Sequence, residues 1–314
     1  MAVSGTVLVL RALGVGDLLT AVPALRALRE EFDGNRIVLA APEALRELAD
    51  LVEAVDRLHP TAGLGELEWH AEPPAVAVNL HGKGPESLRD LLDADPSALI
   101  SHRNPAVPNV PGPDWRPELH EVDRWCRLLE EYGIAADPTD LALGPPPRPA
   151  AHRGAVVVHA GAAAAARRWP PDRFAWVARH LQDDGHDVVL TGGPAEADLA
   201  RSVAEAAGIA PERVLAGRTR LDELAAVVAA AGLVVSGDTG IAHLATAFGT
   251  PSVVLFGPSP PTLWGPPPGV RRHVAMWAGR TGDPLGESPD PGLLELEPEP
   301  VLDQCRELIG RHGR

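Results

Sequence analysis

The residues best suited to chemistry lie in one twelve-residue string, VSGDTGIAHLAT, at residues 235–246. An apolar run precedes this string and an alanine-rich stretch with helical spacing follows it, which predicts a buried strand, a tight turn and a helix start. The first turn of a helix leaves backbone N–H groups unpaired, and with the helix dipole these groups attract phosphate. Asp238, Thr239 and His243 add hydrogen-bonding side chains there. The string therefore predicts a site for a phosphorylated ligand, although His243 taken alone is equally typical of a structural histidine.

A second loop, HAGAAAAARRWP at residues 159–170, also follows a predicted strand. Its small residues allow the backbone to approach a ligand closely. Arg167 and Arg168 have the charge and the fork geometry to neutralise a diphosphate. A single arginine in isolation is more often simply solvated, so this loop predicts a diphosphate site only in combination with the other loops.

The first loop of the chain, RALGVGD at residues 11–17, brings Asp17 to the start of a predicted helix. One interpretation is an N-cap aspartate, which stabilises a helix by ~1 kcal/mol. The other is a carboxylate able to take a proton as a general base. The loop also resembles part of a dinucleotide fingerprint, but its third glycine is missing, which disfavours a dinucleotide-dependent reductase.

Two further loops follow predicted strands. TGGPAE at residues 191–196 brings Glu196 into the first turn of a helix, where the dipole favours a carboxylate and where it could also accept hydrogen bonds from sugar hydroxyls. LAGRT at residues 215–219 offers Arg218 and Thr219.

The elements that must position these loops alternate between strand and helix on both sides of a proline-rich stretch, LGPPPRPA at residues 143–150. This alternation predicts an α/β protein of two doubly wound, Rossmann-like domains with parallel sheets, joined by a semi-rigid linker and facing a central cleft. Ligands of such sheets bind at the carboxyl ends of the strands, where all five loops lie. The predicted domains are residues 1–145 and 151–298, followed by a C-terminal helix in 299–314.

Several segments carry specific expectations. We predict strands over Thr6–Leu10 and Ser252–Phe256 and a helix over Gly240–Phe248. We also predict one helix over Leu18–Glu31, one helix over Glu43–Val55 and a short strand over Arg213–Leu215. We expect residues 257–298, which are rich in proline and glycine, to be mostly loop.

Composition narrows the function classes. The 314 residues carry a net charge of −15, which disfavours nucleic acid and anionic membranes as bulk partners. Cys126 and Cys305 match no metal spacing, and we expect unpaired thiols in a reducing cytoplasm. The short apolar run at the N-terminus predicts no signal peptide, and no stretch has transmembrane length. We expect a soluble cytoplasmic protein without metal or cofactor; peripheral membrane contact stays open.

Taken in order, the loops resemble glycosyltransferase family 9, the ADP-heptose:lipopolysaccharide heptosyltransferases, whose fold is the two-domain GT-B fold. The strings that carry the resemblance are VLVLRALGVGD at 7–17, RRWP at 167–170, LTGG at 190–193, GDTGIAHL at 237–244 and LFGP at 255–258, with weaker matches in NLHG at 79–82 and HEVDR at 120–124. The resemblance covers both predicted domains and implies that the last helix packs back on the first one.

The resemblance also implies residue roles. Asp17 matches the general base, while Arg167 stands where the family often has a lysine that contacts the donor diphosphate. The implied donor-binding residues are Arg167, Glu196, Thr219, Asp238, Thr239, Gly240, Ile241 and His243. The acceptor-side candidates are Arg11, Gly16, His81 and His120. Ala162–Ala166 depart from the family's polar residues and weaken the assignment of the donor.

The resulting hypothesis is an inverting, metal-independent glycosyltransferase that moves a sugar, a heptose by resemblance, from a nucleoside-diphosphate donor such as ADP-heptose to an acceptor hydroxyl. The acceptor is a glycan, a lipid-linked glycan or a natural product. Two alternatives stay open: another nucleotide-sugar enzyme on the same fold, of the 2-epimerase kind, and a non-catalytic nucleotide-sugar-binding protein.

Overall fold

The computed structural model describes residues 5–312 and contains two parallel β-sheets of five strands each. The strands are β1 (Thr6–Leu10), β2 (Arg36–Ala41), β3 (Arg57–Pro60), β4 (Val76–Asn79), β5 (Leu99–Ile100), β6 (Val156–His159), β7 (Val188–Thr191), β8 (Leu233–Gly237), β9 (Ser252–Phe256) and β10 (His273–Trp277). The α-helices are α1 (Val15–Thr20), α2 (Val22–Glu31), α3 (Arg46–Ala49), α4 (Glu86–Asp93), α5 (Glu121–Glu131), α6 (Pro171–Asp183), α7 (Ala197–Ala207), α8 (Leu221–Ala229), α9 (Gly240–Phe248), α10 (Pro261–Trp264), α11 (Pro291–Leu294) and α12 (Pro298–His312).

The chain divides into two compact units, Met1–Leu141 and Ala142–Arg314. The strand order is β3-β2-β1-β4-β5 in the first unit and β10-β9-β8-β6-β7 in the second. The order reverses between β1 and β4 in the first sheet and between β6 and β8 in the second. These two positions are the topological switch points at which doubly wound sheets bind ligands. The predicted class, α/β with two Rossmann-like domains, is confirmed.

The proline-rich stretch belongs to the second unit, so the first unit ends earlier than predicted. The backbone N–H of Leu143 donates to the carbonyl of Ala247 at 3.0 Å. The Arg148 guanidinium forms an ion pair with the carboxylate of Asp222. These bonds attach residues 143–148 to α8 and α9 instead of leaving them as a spacer.

The C-terminal helix α12 packs against elements of the second unit; packing on the first unit stays a prediction from the resemblance. Its buried residues are Val301, Leu302, Cys305 and Leu308. They join the second hydrophobic core, and α12 packs against α6, β8 and β9. The apolar face of α12 thus lies on the sheet of its own unit. At 15 residues α12 is the longest helix described, and no helix in residues 5–312 combines the length and apolarity that crossing a membrane requires.

Other differences from the predicted elements have local causes. The helix predicted over Leu18–Glu31 is divided at Ala21, because Pro23 has no N–H to continue the helical hydrogen bonds. The helix predicted over Glu43–Val55 is the four-residue α3 between two 3₁₀ turns. The strand predicted near residue 214 is a single bridge that continues the sheet beyond β7. The edge strands β3 and β10 were not predicted, and β10 lies in the segment expected to be loop.

Candidate active site

In the first unit, Asp17 lies in the turn that follows β1. It is the third residue of α1, and its Oδ2 atom accepts a hydrogen bond from the backbone N–H of Gly14 at 3.1 Å. The Asp17 side chain keeps 27% of its surface exposed, and its Oδ1 atom lies 3.5 Å from Nη2 of Arg11. The N-cap residue is thus Gly14 and not Asp17 as one interpretation had it; Asp17 bonds the N-cap amide from the third helical position and still offers a carboxylate to solvent.

Arg11, an acceptor-side candidate, has no exposed side-chain surface. Its guanidinium donates to the backbone carbonyls of Asp17, at 2.9 Å, and Leu80. It also forms an ion pair with Glu121 at 2.9 Å. Because the side chain is enclosed by these partners, the structure gives Arg11 no surface with which to touch an acceptor.

The other acceptor-side candidates, His81, Gly16 and His120, differ in their hydrogen-bonding partners. His81 follows β4, and its buried Nδ1 atom has no hydrogen-bond partner among the described residues. Burial, and then the charge of Arg11, lower the pKa of His81, while Asp17 opposes this shift. His81 thus lies within electrostatic range of both groups. Gly16 is part of α1, and His120 caps α5 by accepting the backbone N–H of Val122 at Nδ1, at 3.2 Å.

In the second unit, the strand, turn and helix start predicted around residues 235–246 are present as β8 and the beginning of α9. Thr239 is the N-cap residue, with extended backbone angles of φ −156° and ψ 172°, and α9 begins at Gly240. The backbone N–H of the buried Asp238 donates to the carbonyl of Leu255 in β9 at 3.1 Å, which fixes the turn to the sheet. The backbone amides of Gly240 and Ile241 lie in the first turn, at the positive end of the helix dipole.

Arg167 lies beside this helix start. Its Nη1 atom donates to the backbone carbonyl of Asp238 at 3.3 Å, and its Nε atom is buried without a hydrogen-bond partner. Within the described residues Arg167 makes no ion pair, whereas Arg168 is exposed and donates from Nε to the carbonyl of Ala162 at 2.8 Å. A cation at the positive end of a helix is electrostatically unfavourable. An anionic ligand would satisfy both the guanidinium and the helix.

Glu196 is held at the ends of β6 and β7. Its Oε2 atom accepts the backbone N–H of Gly193 at 2.7 Å and lies 3.7 Å from Nε2 of His159. Gly161 makes this placement possible, because a Cβ atom there would come within 2.1 Å of Glu196 Oε1. The Glu196 side chain is 22% exposed, so its remaining capacity to accept hydrogen bonds is open to a ligand.

Two residues that the sequence did not single out adjoin the candidate site residues. His159 lies beside Glu196, and Glu121 binds Arg11, which in turn contacts Asp17. His159 is buried at the end of β6, and its Nδ1 atom shares a hydrogen bond with the hydroxyl of Thr191 at 3.1 Å. Burial lowers the pKa of His159 despite the opposing effect of Glu196. The only sequence signal for Glu121 was its place in the weak HEVDR match, and for His159 its place at a strand end.

Two predicted donor-binding residues are less clearly engaged. Thr219 is half-buried just before α8, and in the described part of the chain its side chain makes no bond to another predicted site residue. The His243 ring, one turn into α9, meets the edge of Trp264 with a centroid distance of 6.1 Å. That contact favours the structural interpretation of His243.

Metal-ligating groups do not converge in the described residues. No group of three or more His, Cys, Asp or Glu side chains suited to a metal ion occurs in residues 5–312. The one Asp-x-Asp pair of the chain, Asp93 and Asp95, is exposed at the end of α4.

Comparison with known proteins decides the family. The model of glycosyltransferase family 9 (heptosyltransferase) matches residues 114–282, more than half of the chain. The chain belongs to glycosyltransferase family 9. It is therefore a glycosyltransferase, and the string at 235–246 lies within the matched region.

Relatives and solved structures agree with this family. The chain is 25% identical to lipopolysaccharide heptosyltransferase 2 of Salmonella typhimurium over 98% of its own length and 99% of that protein. It is 32% identical to lipopolysaccharide heptosyltransferase 2 of Escherichia coli over 46% of this chain, an alignment that spans 43% of that relative.

Among solved structures, ADP-heptose lipopolysaccharide heptosyltransferase II of E. coli superposes with a TM-score of 0.80 at 22% identity, covering 98% of this chain and 100% of the other. A family 9 glycosyltransferase of Veillonella parvula also gives a TM-score of 0.80, at 19% identity and 99% coverage of both chains. These similarities show that the family 9 chain has the GT-B fold.

Proposed function

We propose that this glycosyltransferase moves a heptose from ADP-heptose to a hydroxyl of a lipopolysaccharide core, with inversion and without a metal ion. The sugar, the nucleotide and the acceptor class are those in the names of its relatives, the heptosyltransferases of Salmonella and E. coli. The observation in this chain that carries the proposal is the partly buried Arg167 beside the start of α9, which makes no ion pair among the described residues and whose Nε atom has no hydrogen-bond partner there.

The second unit would hold the donor by its diphosphate. Arg167 has Nε and Nη hydrogens to donate in a fork, and the amides of Gly240 and Ile241 supply further donors at a helix N-terminus. Glu196 would accept hydrogen bonds from hydroxyls of the ribose or the sugar. The loop residues Ala162–Ala166 offer no polar side chains, so the backbone would make the contacts there.

The first unit would supply the base. In the proposed step, the acceptor oxygen attacks the anomeric carbon while the bond from that carbon to the diphosphate oxygen breaks. The hydroxyl proton passes to the Asp17 carboxylate, and the nucleoside diphosphate leaves with the bonding electron pair. A single displacement of this kind inverts the anomeric configuration.

The charge that develops on the leaving group would be met by Arg167 and the amides at the start of α9. Fixed donors stabilise such charge without reorganising during the reaction, which is the role that a metal ion has in other transferases. The proposal therefore requires turnover in the presence of a chelator.

A donor and acceptor panel tests the proposal. The purified protein is incubated with ADP-heptose, UDP-sugars and GDP-sugars, with and without heptose-deficient lipopolysaccharide, in EDTA, and the products are identified by mass spectrometry and NMR. We expect transfer from ADP-heptose, with inverted configuration, only when acceptor is present. A changed sugar nucleotide without acceptor would instead indicate an epimerase, and binding without any product would indicate a binding protein.

A further inference from the structure

The Arg11 guanidinium joins separate segments of the first unit. Its Nε atom donates to the Asp17 carbonyl at 2.9 Å, and Nη1 donates to the carbonyl of Leu80 at the end of β4. Its Nη2 atom donates to the hydroxyl of Thr20 at 3.2 Å and to Oε1 of Glu121, the first residue of α5, at 2.9 Å. One side chain thus fixes the turn that carries Asp17 to a strand end and to a helix.

Glu121 is the carboxylate that neutralises this buried guanidinium. Its side chain is 9% exposed, and it also accepts hydrogen bonds from Nε of Arg124 at 3.1 Å and from the indole of Trp125 at 2.9 Å. Burial raises the pKa of Glu121, but Arg11 and Arg124 outweigh this effect and hold it below its usual value. Glu121 is therefore ionised near neutral pH, with both oxygens occupied by donors.

Because Arg11 lies close to Asp17, the charge of Glu121 affects the proposed base. The Nη2 atom of Arg11 lies 2.9 Å from Glu121 and 3.5 Å from Oδ1 of Asp17, so the stronger ion pair is with Glu121. Without the Glu121 charge, the guanidinium would be unneutralised and its nearest remaining carboxylate would be Asp17. A base in close contact with an uncompensated cation loses affinity for a proton.

We propose that Glu121 is a positioning residue for transfer: it holds Arg11 in place and neutralises it, and so keeps Asp17 placed and available as the base. This inference rests on the proposed function of Asp17. It also reassigns Arg11 from an acceptor contact to a part of the same positioning pair.

A merely structural ion pair would affect stability without changing the pH dependence of turnover. The decisive variant is Glu121→Gln, which keeps the size of the side chain and removes its charge. We expect kcat to fall about 10- to 100-fold because the base is displaced. We also expect the acid limb of the kcat profile to move down by about one pH unit, because Arg11 then acts on Asp17 alone. The KM for the donor, which is proposed to bind the other unit, stays unchanged.

The double variant Arg11→Gln/Glu121→Gln separates charge from position. It removes both charges, so the acid limb returns to its wild-type position while kcat stays low. Glu130→Gln, an exposed carboxylate on the same helix, is the matched control and leaves both quantities unchanged. Thermal unfolding of each variant establishes that it folds, and Arg11→Lys replaces Glu121→Gln if that variant does not, with a fall in kcat and unchanged donor KM expected.

Donor hydrolysis by water is followed beside transfer, so that the profile does not depend on one acceptor. Wild-type kcat and an unmoved acid limb in folded Glu121→Gln, or undiminished kcat in Arg11→Lys, would overturn the inference. Asp17→Asn is measured in parallel. If that variant keeps full turnover, the proposed base is wrong; if it loses turnover while Glu121→Gln does not, only the positioning role is wrong.

Discussion

The switch points of the two sheets hold an arginine each, and the two arginines are used in opposite ways. Arg11, after β1, is fully buried and bonded to carbonyls and to Glu121. Arg167, after β6, has one bond to a backbone carbonyl and a buried Nε atom without a partner in the described chain. The first arginine is bound by carbonyls and a carboxylate of the protein, whereas the second makes no ion pair within the described residues. The proposed function uses this difference: it assigns the proton acceptor to one unit and the anion site to the other.

The largest expected effect is a loss of stability on replacing Arg11. If this loss were absent, the contrast between Arg11 and Arg167 would be wrong. Arg11→Met leaves Glu121 buried with only Arg124 as a charged partner, and we expect the free energy of unfolding to fall by about 3–5 kcal/mol. Arg167→Met removes a cation that has no ion pair, so we expect a change within about 0.5 kcal/mol. Urea unfolding of both variants measures the contrast; similar losses would contradict it.

For nucleotide affinity we expect Arg167, and not Arg11, to be the arginine whose loss matters. Arg167→Ala removes charged hydrogen bonds to the diphosphate, which are worth about 1.5–3 kcal/mol, so we expect the Kd for ADP to rise about 10- to 100-fold. Arg168→Ala is the matched comparison, since Arg168 is exposed and bonded to Ala162. We expect less than a threefold change there. Calorimetry with ADP decides which arginine binds, and equal affinity for all three proteins would remove the anion site.

A smaller effect sharpens the role of Glu196. Gly161→Ala forces the Glu196 carboxylate out of its place, because the added Cβ would overlap its oxygens. If Glu196 binds donor hydroxyls, we expect the KM for the donor to rise about tenfold, which is the loss of one net hydrogen bond. Gly310→Ala, where a Cβ meets only open space, serves as the control. An unchanged KM would show that Glu196 is structural.

The smallest expected effect is a pH dependence of stability in the first unit. Burial lowers the pKa of His102 to about 4, below its unfolded value near 6.5. The folded state therefore binds the proton less well, and the stability present at neutral pH is lost as the pH falls from about 6.5 towards 4. We expect His102 to account for about 1 kcal/mol of the loss between pH 7 and pH 5.5.

His102→Phe keeps a ring beside Trp115 and Trp125 and should flatten the pH dependence. The exposed His70→Gln should leave it unchanged. Urea unfolding at pH 7 and pH 5.5 makes the comparison, and an equal loss of unfolding free energy in wild type and His102→Phe would contradict it.

The sequence predicted those parts of the fold that depend on local pattern. The bounds of β1, α9 and β9 agree with the predicted ones, because each combines an apolar run with a clear glycine or polar boundary. The edge strand β3, whose residues are RLHP, has no such run and is a strand only because it pairs with β2. Tertiary pairing of this kind leaves no trace in a window of sequence.

The candidate site shows the same division. The start of α9 could be predicted because its strand, turn and helix are contiguous. The partner of Arg11 could not be, because Glu121 is 110 residues away and is brought there by the packing of α5. The use of each arginine depends on such distant partners, so the sequence alone could not distinguish Arg11 from Arg167.

The central claim is that the first unit supplies the base and the second holds the diphosphate, and Asp17→Asn tests it most directly. Single-turnover rates with ADP-heptose and the acceptor are measured beside the Kd for ADP. The account predicts that the rate falls about 10²- to 10⁴-fold while the Kd stays within about twofold of wild type. An undiminished rate, or a loss of ADP binding equal to that of Arg167→Ala, would contradict it.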